Sequence, residues 1–313
     1  MDPFRDKRKD VGWRQILPLL RYIYYWLVRA SYKWLLHVYT NSCELERILE
    51  KSCAGAPRIL ALEFSLTHSK RADLRQLPLC PLETVKDAVE LVIKVKAIPK
   101  IRLPRVQPLL VNSFAQLLGY NQLVREVEWM RAEKFDSANQ EHEIKLMELW
   151  SLLRPHSPLE ARFSKQWQEV GFQGDNPATD FRGMGILGLN QLVFLCSSQP
   201  DKAKHIFALS HHPTIGFPFA VAGISITALA RELLREGHLK THMFNVTRQP
   251  PTMQDFHQAY CCIFTLFSSV WRNSNPSSVM EFNAVKERFA RDLCKLLSVP
   301  TATLPGETIL FDL

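Results

Sequence analysis

From about residue 40 onward, apolar side chains recur at intervals of three or four residues, and this spacing is what most limits the fold. In residues 83–97 (ETVKDAVELVIKVKA), four valines follow this spacing, and charged residues stand between them. No convincing stretch alternates apolar and polar residues as a half-buried strand does, and no internal repeat is visible. The sequence therefore predicts an all-α fold of about eight to ten helices, given typical helix lengths.

Prolines and glycines set the predicted helix boundaries. Three prolines in residues 98–108 (IPKIRLPRVQP) predict a linker or extended segment. Residues 109–132 are predicted to form one helix or a pair of helices, with a break near Gly119. The remaining helices are predicted over residues 139–153, 159–169, 184–197, 217–236, 252–272 and 278–297.

The excess of positive charge is confined to the first third of the chain. The net charge is +8; residues 1–110 carry 20 Lys and Arg against 11 Asp and Glu, whereas residues 111–313 carry 19 against 20. Because a nucleic-acid-binding domain normally carries its own excess of Lys and Arg, we expect no nucleic-acid partner. The seven cysteines are an odd number without CxxC spacing, which favours reduced thiols in an intracellular compartment.

Aromatic residues are concentrated near the N-terminus. Residues 13–39 (WRQILPLLRYIYYWLVRASYKWLLHVY) contain five of the seven tyrosines and three of the seven tryptophans. The apolar run within this segment includes Arg21 and is shorter than the about 20 residues that a membrane-spanning helix needs. On a helix, the basic residues fall within an arc of about 120°. These residues are Arg14, Arg21, Arg29 and Lys33.

A basic helix with a broad aromatic face is typical of segments that lie in a membrane interface. We therefore predict that residues 1–40 form an amphipathic helix on an anionic membrane surface. The expected contacts are Trp13, Arg21, Tyr22, Tyr25, Trp26, Arg29 and Trp34. A core helix with an exposed basic stripe and a true membrane span are the alternatives. We expect an intracellular protein, cytoplasmic and peripherally membrane-associated, for which the endoplasmic reticulum, a lipid droplet and a mitochondrion are compatible sites.

Five of the 12 glycines fall within residues 171–189 (GFQGDNPATDFRGMGILGL). Gly183, Gly185 and Gly188 match the pattern GxGxxG, but a dinucleotide-binding fold needs a strand before the glycines and an acidic residue about 20 positions further on. The residues ahead of Gly183 are turn-like, and the first acidic residue downstream is Asp201. We therefore expect no nucleotide cofactor bound by this chain itself.

The histidines and cysteines do not predict a metal centre or a nucleophilic thiol. His238 and His242 are four residues apart, but we expect Gly237 to end a helix just before them. Cys261 and Cys262 lie in an apolar run (YCCIFTLF), which is typical of a buried core.

Arg182 stands in the middle of the glycine-rich stretch, within TDFRGMG. Thr179 or Asp180 is suited to cap the helix that follows, while Gly183 and Gly185 allow the backbone to turn or to approach another surface closely. From the residues alone, the ordinary interpretation of Arg182 is a structural ion pair with Asp180, or a contact with a helix C-terminus.

One set of residues resembles, in order and spacing, the signature of the ELMO (engulfment and cell motility) domain. The set is Trp167, Gly171, Phe172, Gln173, Pro177, Thr179, Asp180, Phe181, Arg182, Gly183, Gly185, Leu189, Leu192 and Phe194. The similarity extends over CELERIL, LLGYNQLVREVE, EHEIKLMELWSLL, AVAGISITALA and PTMQDFHQAYC. Val193 departs from the tyrosine that is usual in the family. The layout resembles the short ELMO domain-containing proteins.

The resemblance implies one large multi-helix ELMO domain, preceded by the basic aromatic N-terminal helix. We place this domain at residues 109–300. The other segments are the membrane-interfacial helix at 1–40, a helical extension with a proline-containing linker at 41–108, and a tail at 301–313.

Short members of this family are GTPase-activating proteins for small GTPases of the Arf and Arf-like group. The resemblance implies that Arg182 acts in trans on the phosphates of a GTP-bound partner. It also implies that the other motif residues, from Trp167 to Gly185, support the arginine or contact the GTPase. GTP and magnesium would be carried by the partner, so no cofactor is expected here. The alternative is a non-catalytic adaptor for a small-GTPase regulatory complex, as in the large engulfment scaffolds, with Arg182 structural.

Overall fold

The computed structural model describes residues 29–305, which are all-α and contain no strand. Their thirteen α-helices are α1 Arg29–Thr40, α2 Glu44–Lys51, α3 Ala56–Thr67, α4 Ala72–Gln76, α5 Val85–Lys96, α6 Leu103–Ala132, α7 Gln140–Leu153, α8 Gly185–Ser198, α9 Pro200–Ser210, α10 Phe219–Arg235, α11 Lys240–Val246, α12 Met253–Ser274 and α13 Phe282–Leu297. Short 3-10 helices lie at Leu77–Leu79, Leu82–Thr84, Lys100–Arg102, Lys165–Val170, Pro177–Arg182 and Val279–Glu281. The predicted fold class is confirmed, although the predicted number of helices is too low.

Helix α6 is the longest element and runs through both hydrophobic cores of the described residues. Its 30 residues span about 45 Å at 1.5 Å per residue. The first half buries Val106 and Phe114 in a smaller core with α2 to α5. The second half buries Tyr120 and Val127 in a larger core, to which α7 to α13 contribute. One rigid helix therefore connects the N-terminal part of the fold to the part that carries the glycine-rich motif.

Two predicted interruptions of this helix are wrong. The linker was expected over 98–108, but α6 already begins at Leu103. Pro104 is accommodated because it falls in the first helical turn, where no backbone N–H donor is needed. Helix α6 also continues through Gly119. A Cβ atom at Gly119 would lie 2.5 Å from the Cβ of Pro250. This glycine therefore gives room for the turn before α12 to pack on α6, instead of breaking the helix.

The other predicted helices differ in outcome. Those expected at 139–153, 184–197, 217–236, 252–272 and 278–297 are observed, with shifted ends, as α7, α8, α10, α12 and α13. The helix expected over 159–169 is wrong, because only the short 3-10 helix Lys165–Val170 forms in that region. Helices α2, α3, α4, α9 and α11 were not predicted individually, because such short segments give little periodicity.

The predicted membrane helix lies mostly outside the described residues. This holds for Trp13, Arg21, Tyr22, Tyr25 and Trp26, and the side chain of Arg29 is also outside them. Trp34 lies on α1, and 65% of it is exposed. Between residues 29 and 305, no helix is both long and apolar enough to span a bilayer.

Candidate functional site

Most of the glycine-rich stretch lies in a loop, residues 164–184, that contains two 3-10 helices, Lys165–Val170 and Pro177–Arg182. The side chain of Ser164 accepts a hydrogen bond from the N–H of Gln166 (3.2 Å) at the start of the first. The side chain of Asn176 caps the second in the same way, accepting from the N–H of Ala178 (3.1 Å). Helix α8 begins only three residues after Arg182, so both short helices are held close to the larger core.

Three aromatic residues of the motif form the support of this loop. Trp167, Phe172 and Phe181 are all at least 97% buried. The ring centroid of Phe172 lies 5.6 Å from that of Trp167 and 5.7 Å from that of Phe181. Edge-to-face contacts of this kind add to the free energy gained from burial. These aromatic residues are therefore part of the core, and so is the buried Pro177.

Two glycines fasten the loop at its ends. Gly171 has φ +89°, and a Cβ there would lie 2.2 Å from the backbone nitrogen of Phe219. The carbonyl of Gly171 accepts the N–H of Val221 (3.2 Å) at the start of α10. Gly185 has φ +55°, and a Cβ there would lie 2.2 Å from the carbonyl oxygen of Glu133, beyond the end of α6. Both positions therefore require glycine for the fold itself.

Gly183 differs from these two. Its φ is −83°, in the right-handed helical region that any residue adopts. A Cβ atom at this position would have no heavy atom within 4 Å. The fold thus places no requirement for glycine at the residue next to Arg182.

Asp180 links two parts of the loop by a hydrogen bond. Its Oδ2 accepts a hydrogen bond from the N–H of Gln173 (2.8 Å). Partial burial raises the pKa of the Asp180 carboxyl, while the bond from Gln173 and the nearby charge of Arg182 act in the opposite direction. Neither Asp180 nor Thr179 caps α8, contrary to expectation, because Thr179 Oγ1 donates instead to the carbonyl of Asn176 (3.0 Å).

Arg182 is exposed at the surface of the loop. Its Nε donates to the carbonyl of Thr179 (2.8 Å), one turn back in the same 3-10 helix. Within residues 29–305, its Nη atoms make no hydrogen bond, and it forms no ion pair with Asp180 or any other carboxylate. The sequence predicted an ion pair with Asp180 or a contact with a helix C-terminus. Among the described residues the ion pair does not form, and the only contact with a helix end is the bond from Nε to the carbonyl of Thr179.

Comparison with known proteins identifies the motif. The ELMO/CED-12 family model matches residues 125–286, from the second half of α6 into α13. The chain belongs to the ELMO/CED-12 family. It is 39% identical over 290 residues to ELMO domain-containing protein 2 of Mus musculus, covering 93% of this chain and 99% of that protein. ELMO domain-containing protein 2 of Homo sapiens is 40% identical over 281 residues, covering 90% and 96%. ELMO domain-containing protein 1 of Homo sapiens is 34% identical over 316 residues, covering 93% and 95%.

The ELMO-family motif divides into buried and exposed members. The aromatic residues, Pro177 and the two fold-required glycines support the loop from within. Gln173, Thr179, Arg182 and Gly183 are exposed. The exposed group is therefore the part of the ELMO motif that a partner can contact.

Arg162 was not predicted from the sequence, yet it braces the ELMO-family loop. Its Nη2 donates to Glu143 of α7 (2.9 Å), and its Nη1 lies 3.5 Å from the Oδ1 of Asn176, which caps the second 3-10 helix. The carbonyl of Arg162 also accepts the indole N–H of Trp167 (2.9 Å). Nineteen positions separate Arg162 from Glu143, so no helical spacing in the sequence connects them.

The other sequence patterns do not form a site in the described residues. His238 lies in a turn after Gly237 (φ +82°), whereas His242 is on α11 and accepts the N–H of Leu304 at Nδ1 (3.0 Å). From Arg29 to residue 305, no group of three or more His, Cys, Asp or Glu residues is placed to hold a metal ion. The residues before Gly183 form a 3-10 helix, and the strand that GxGxxG requires does not form there.

Proposed function

We propose that the protein is a GTPase-activating protein for small GTPases of the Arf and Arf-like group, with Arg182 supplied in trans to the GTP phosphates. The observation that carries this proposal is the state of Arg182. It is exposed, its Nη atoms have no hydrogen-bond partner among residues 29–305, and the aromatic residues of its loop are buried. The family membership adds support, because the short members with this motif are activators of these GTPases.

The geometry of the loop suits such a role. An arginine that stabilises charge on transferring phosphates has to be held in place before the partner arrives, and its donor atoms have to be free. The bond from Nε to Thr179 fixes the stem of the guanidinium. The two Nη groups then point two parallel donors at oxygens of the phosphates, which lysine cannot do. An arginine in this position is worth about 10³–10⁵ in the rate of hydrolysis.

The proposal requires no cofactor on this chain. The partner GTPase brings GTP, magnesium and the residue that orients the attacking water. The proposed site of action is an intracellular membrane surface, where Arf-family GTPases commonly work and where the basic aromatic N-terminus would hold the activator beside its target.

Single-turnover GTP hydrolysis on a panel of Arf and Arf-like GTPases tests the proposal. We expect wild type to accelerate hydrolysis by at least one GTPase, and Arg182→Ala to lose about 10³-fold or more of that acceleration. Arg182→Lys keeps the charge without the paired donors, so we expect it to remain strongly impaired. Arg248→Ala is the matched control, because Arg248 is also exposed and pairs with no described carboxylate.

Stability measurements separate catalysis from folding. Arg182 makes one exposed hydrogen bond, so we expect Arg182→Ala to lower the free energy of unfolding by less than about 1 kcal/mol. An inactive Arg182→Ala variant that is also strongly destabilised would contradict a direct role. Absence of stimulation by wild type across the panel, with GTPase binding retained, would favour the non-catalytic adaptor.

A further inference from the structure

Helix α1 presents most of its apolar side chains to solvent, whereas Lys33 lies on its less exposed side, toward the protein. Its exposed residues include Tyr32 (59%), Trp34 (65%), Leu35 (57%), Val38 (60%) and Tyr39 (88%). On its inner face, Lys33 forms an ion pair with Glu44 of α2 (2.5 Å). A surface helix of a soluble domain normally has the reverse arrangement. The outward face of α1 therefore needs an apolar environment that the described part of the fold does not provide.

A second exposed apolar side chain lies beside the end of α1. Ile101, in the 3-10 helix Lys100–Arg102, is 88% exposed. The next residue, Arg102, donates from Nη1 to the carbonyl of Asn41 (2.8 Å) and to Oγ of Ser42 (3.0 Å), immediately after α1. These bonds fix the Lys100–Arg102 turn against the C-terminal end of α1.

The charge around this turn indicates its partner. Residues 94–105 (KVKAIPKIRLPR) contain five Lys and Arg and no acidic residue. The acidic side chains of the neighbouring α2 are all neutralised within the fold. The three pairs are Glu44 with Lys33, Glu46 with Arg102 (3.2 Å) and Glu50 with Arg105 (3.6 Å). Within residues 29–305, no carboxylate lies within ion-pair distance of Lys94, Lys96 or Lys100.

We propose that the outward face of α1 and the Lys100–Arg102 turn together form one docking surface for an anionic membrane. Aromatic and aliphatic side chains next to unpaired lysines match the two layers of a lipid interface, which are acyl chains and anionic headgroups. In the sequence, the basic aromatic segment predicted to contact the membrane directly precedes α1. The docking surface adds Ile101 and Lys100, which are distant in sequence from the predicted N-terminal contacts.

Helix α6 relates this surface to Arg182. The Lys100–Arg102 turn directly precedes the N-terminus of α6. At the other end of α6, Gly185, which follows the loop that carries Arg182, packs against the backbone of Arg131 and Glu133. The length of α6, about 45 Å, therefore separates the membrane-facing turn from the loop that carries the arginine. Docking through the turn leaves Arg182 free for a GTPase on the same membrane, and in this respect the inference rests on the proposed function.

Vesicle flotation of the full chain tests the docking surface. We expect wild type to float with phosphatidylserine-containing vesicles and much less with pure phosphatidylcholine vesicles. Ile101→Glu and Lys100→Glu should each lower the apparent partition coefficient by about tenfold, because each adds a negative charge beside anionic lipid. Met280→Glu is the matched control, because Met280 is 86% exposed and lies in the turn before α13. We expect it to float like wild type.

The flotation results decide whether this surface binds an anionic membrane. Wild-type flotation of Ile101→Glu and Lys100→Glu would overturn the proposal, as would a wild type that does not bind anionic vesicles. A wild type that stays unbound and sediments as a dimer would assign the surface to a second copy. Ile101→Glu should also stimulate GTP hydrolysis like wild type in a vesicle-free assay. An Ile101→Glu variant that no longer floats but still stimulates hydrolysis supports the docking surface. A wild type that does not stimulate hydrolysis would count only against the activator function.

Discussion

The two ends of α6 carry surfaces of opposite design. At its N-terminal end, apolar side chains such as Ile101 and Tyr39 are exposed, and Lys100 pairs with no carboxylate of residues 29–305. At its C-terminal end, Trp167 and Phe181 of the ELMO motif are buried, and the exposed Arg182 is held by a hydrogen bond. A fluid lipid surface needs adhesion without a fixed geometry, whereas a phosphoryl group needs one charge in one place. The contrast is consistent with two partners of different kinds.

The largest effect on the loop at the C-terminal end of α6 is expected at Gly171. Gly171→Ala forces a positive φ on alanine and a Cβ into the backbone of Phe219. We expect it to lower the free energy of unfolding by more than about 3 kcal/mol. Urea unfolding followed by circular dichroism measures this. A variant as stable as wild type would show that the loop is not rigidly fastened to α10.

A second effect concerns the acid sensitivity of the larger core, which supports the loop at the C-terminal end of α6. Burial lowers the pKa of His242, which precedes the core residue Met243 on α11, to about 4. Since this histidine is neutral when folded, its contribution is complete above about pH 6.5 and is lost as pH falls towards 4. We expect the free energy of unfolding to fall by about 2 kcal/mol from this source between pH 7 and pH 5.

The control for this pH effect is His242→Gln, which keeps an acceptor for the N–H of Leu304 but does not titrate. Chemical denaturation at the two pH values should show a smaller loss of stability in this variant than in wild type. An equal loss in both would mean that His242 does not contribute to acid sensitivity.

The smallest effect concerns Gly183, beside Arg182. Gly183→Ala meets no neighbouring atom and needs no unusual φ, so we expect no measurable change in stability. A close-approaching GTPase would meet the added methyl group, and we expect stimulated hydrolysis to fall by about tenfold, a difference of about 1.4 kcal/mol. Full activity in Gly183→Ala would mean that the partner does not approach the loop at this residue.

The sequence predicted the fold class and the longer helices because apolar residues repeat at helical spacing in α7, α8, α10, α12 and α13. It failed where tertiary contacts decide. Helix α6 forms despite Pro104 and Pro108 because Val106 and Phe114 are buried against α2 to α5. It continues through Gly119, where Pro250 packs against it. The spacing of residues along the sequence does not predict either of these tertiary contacts.

The motif shows the same limit. Its order and spacing point to Arg182, but only the structure separates the fold-required Gly171 and Gly185 from Gly183. Similarly, the hydrogen bond between Arg162 and Glu143 depends on the path of the chain between them. The position of the exposed Ile101 depends on where α1 ends, because Arg102 bonds to Asn41 there. The domain limits at residues 41, 109 and 301 stay predictions.

The most direct test of the central claim is complex formation in the presence of GDP and aluminium fluoride, which mimic the transferring phosphoryl group. An arginine supplied in trans binds this mimic far more tightly than the ground state. We expect wild type to form a stable complex with a GTPase it stimulates, and Arg182→Ala to form none, although both bind the GTP-bound form equally. A complex of Arg182→Ala as stable as that of wild type would contradict a role of Arg182 at the GTP phosphates.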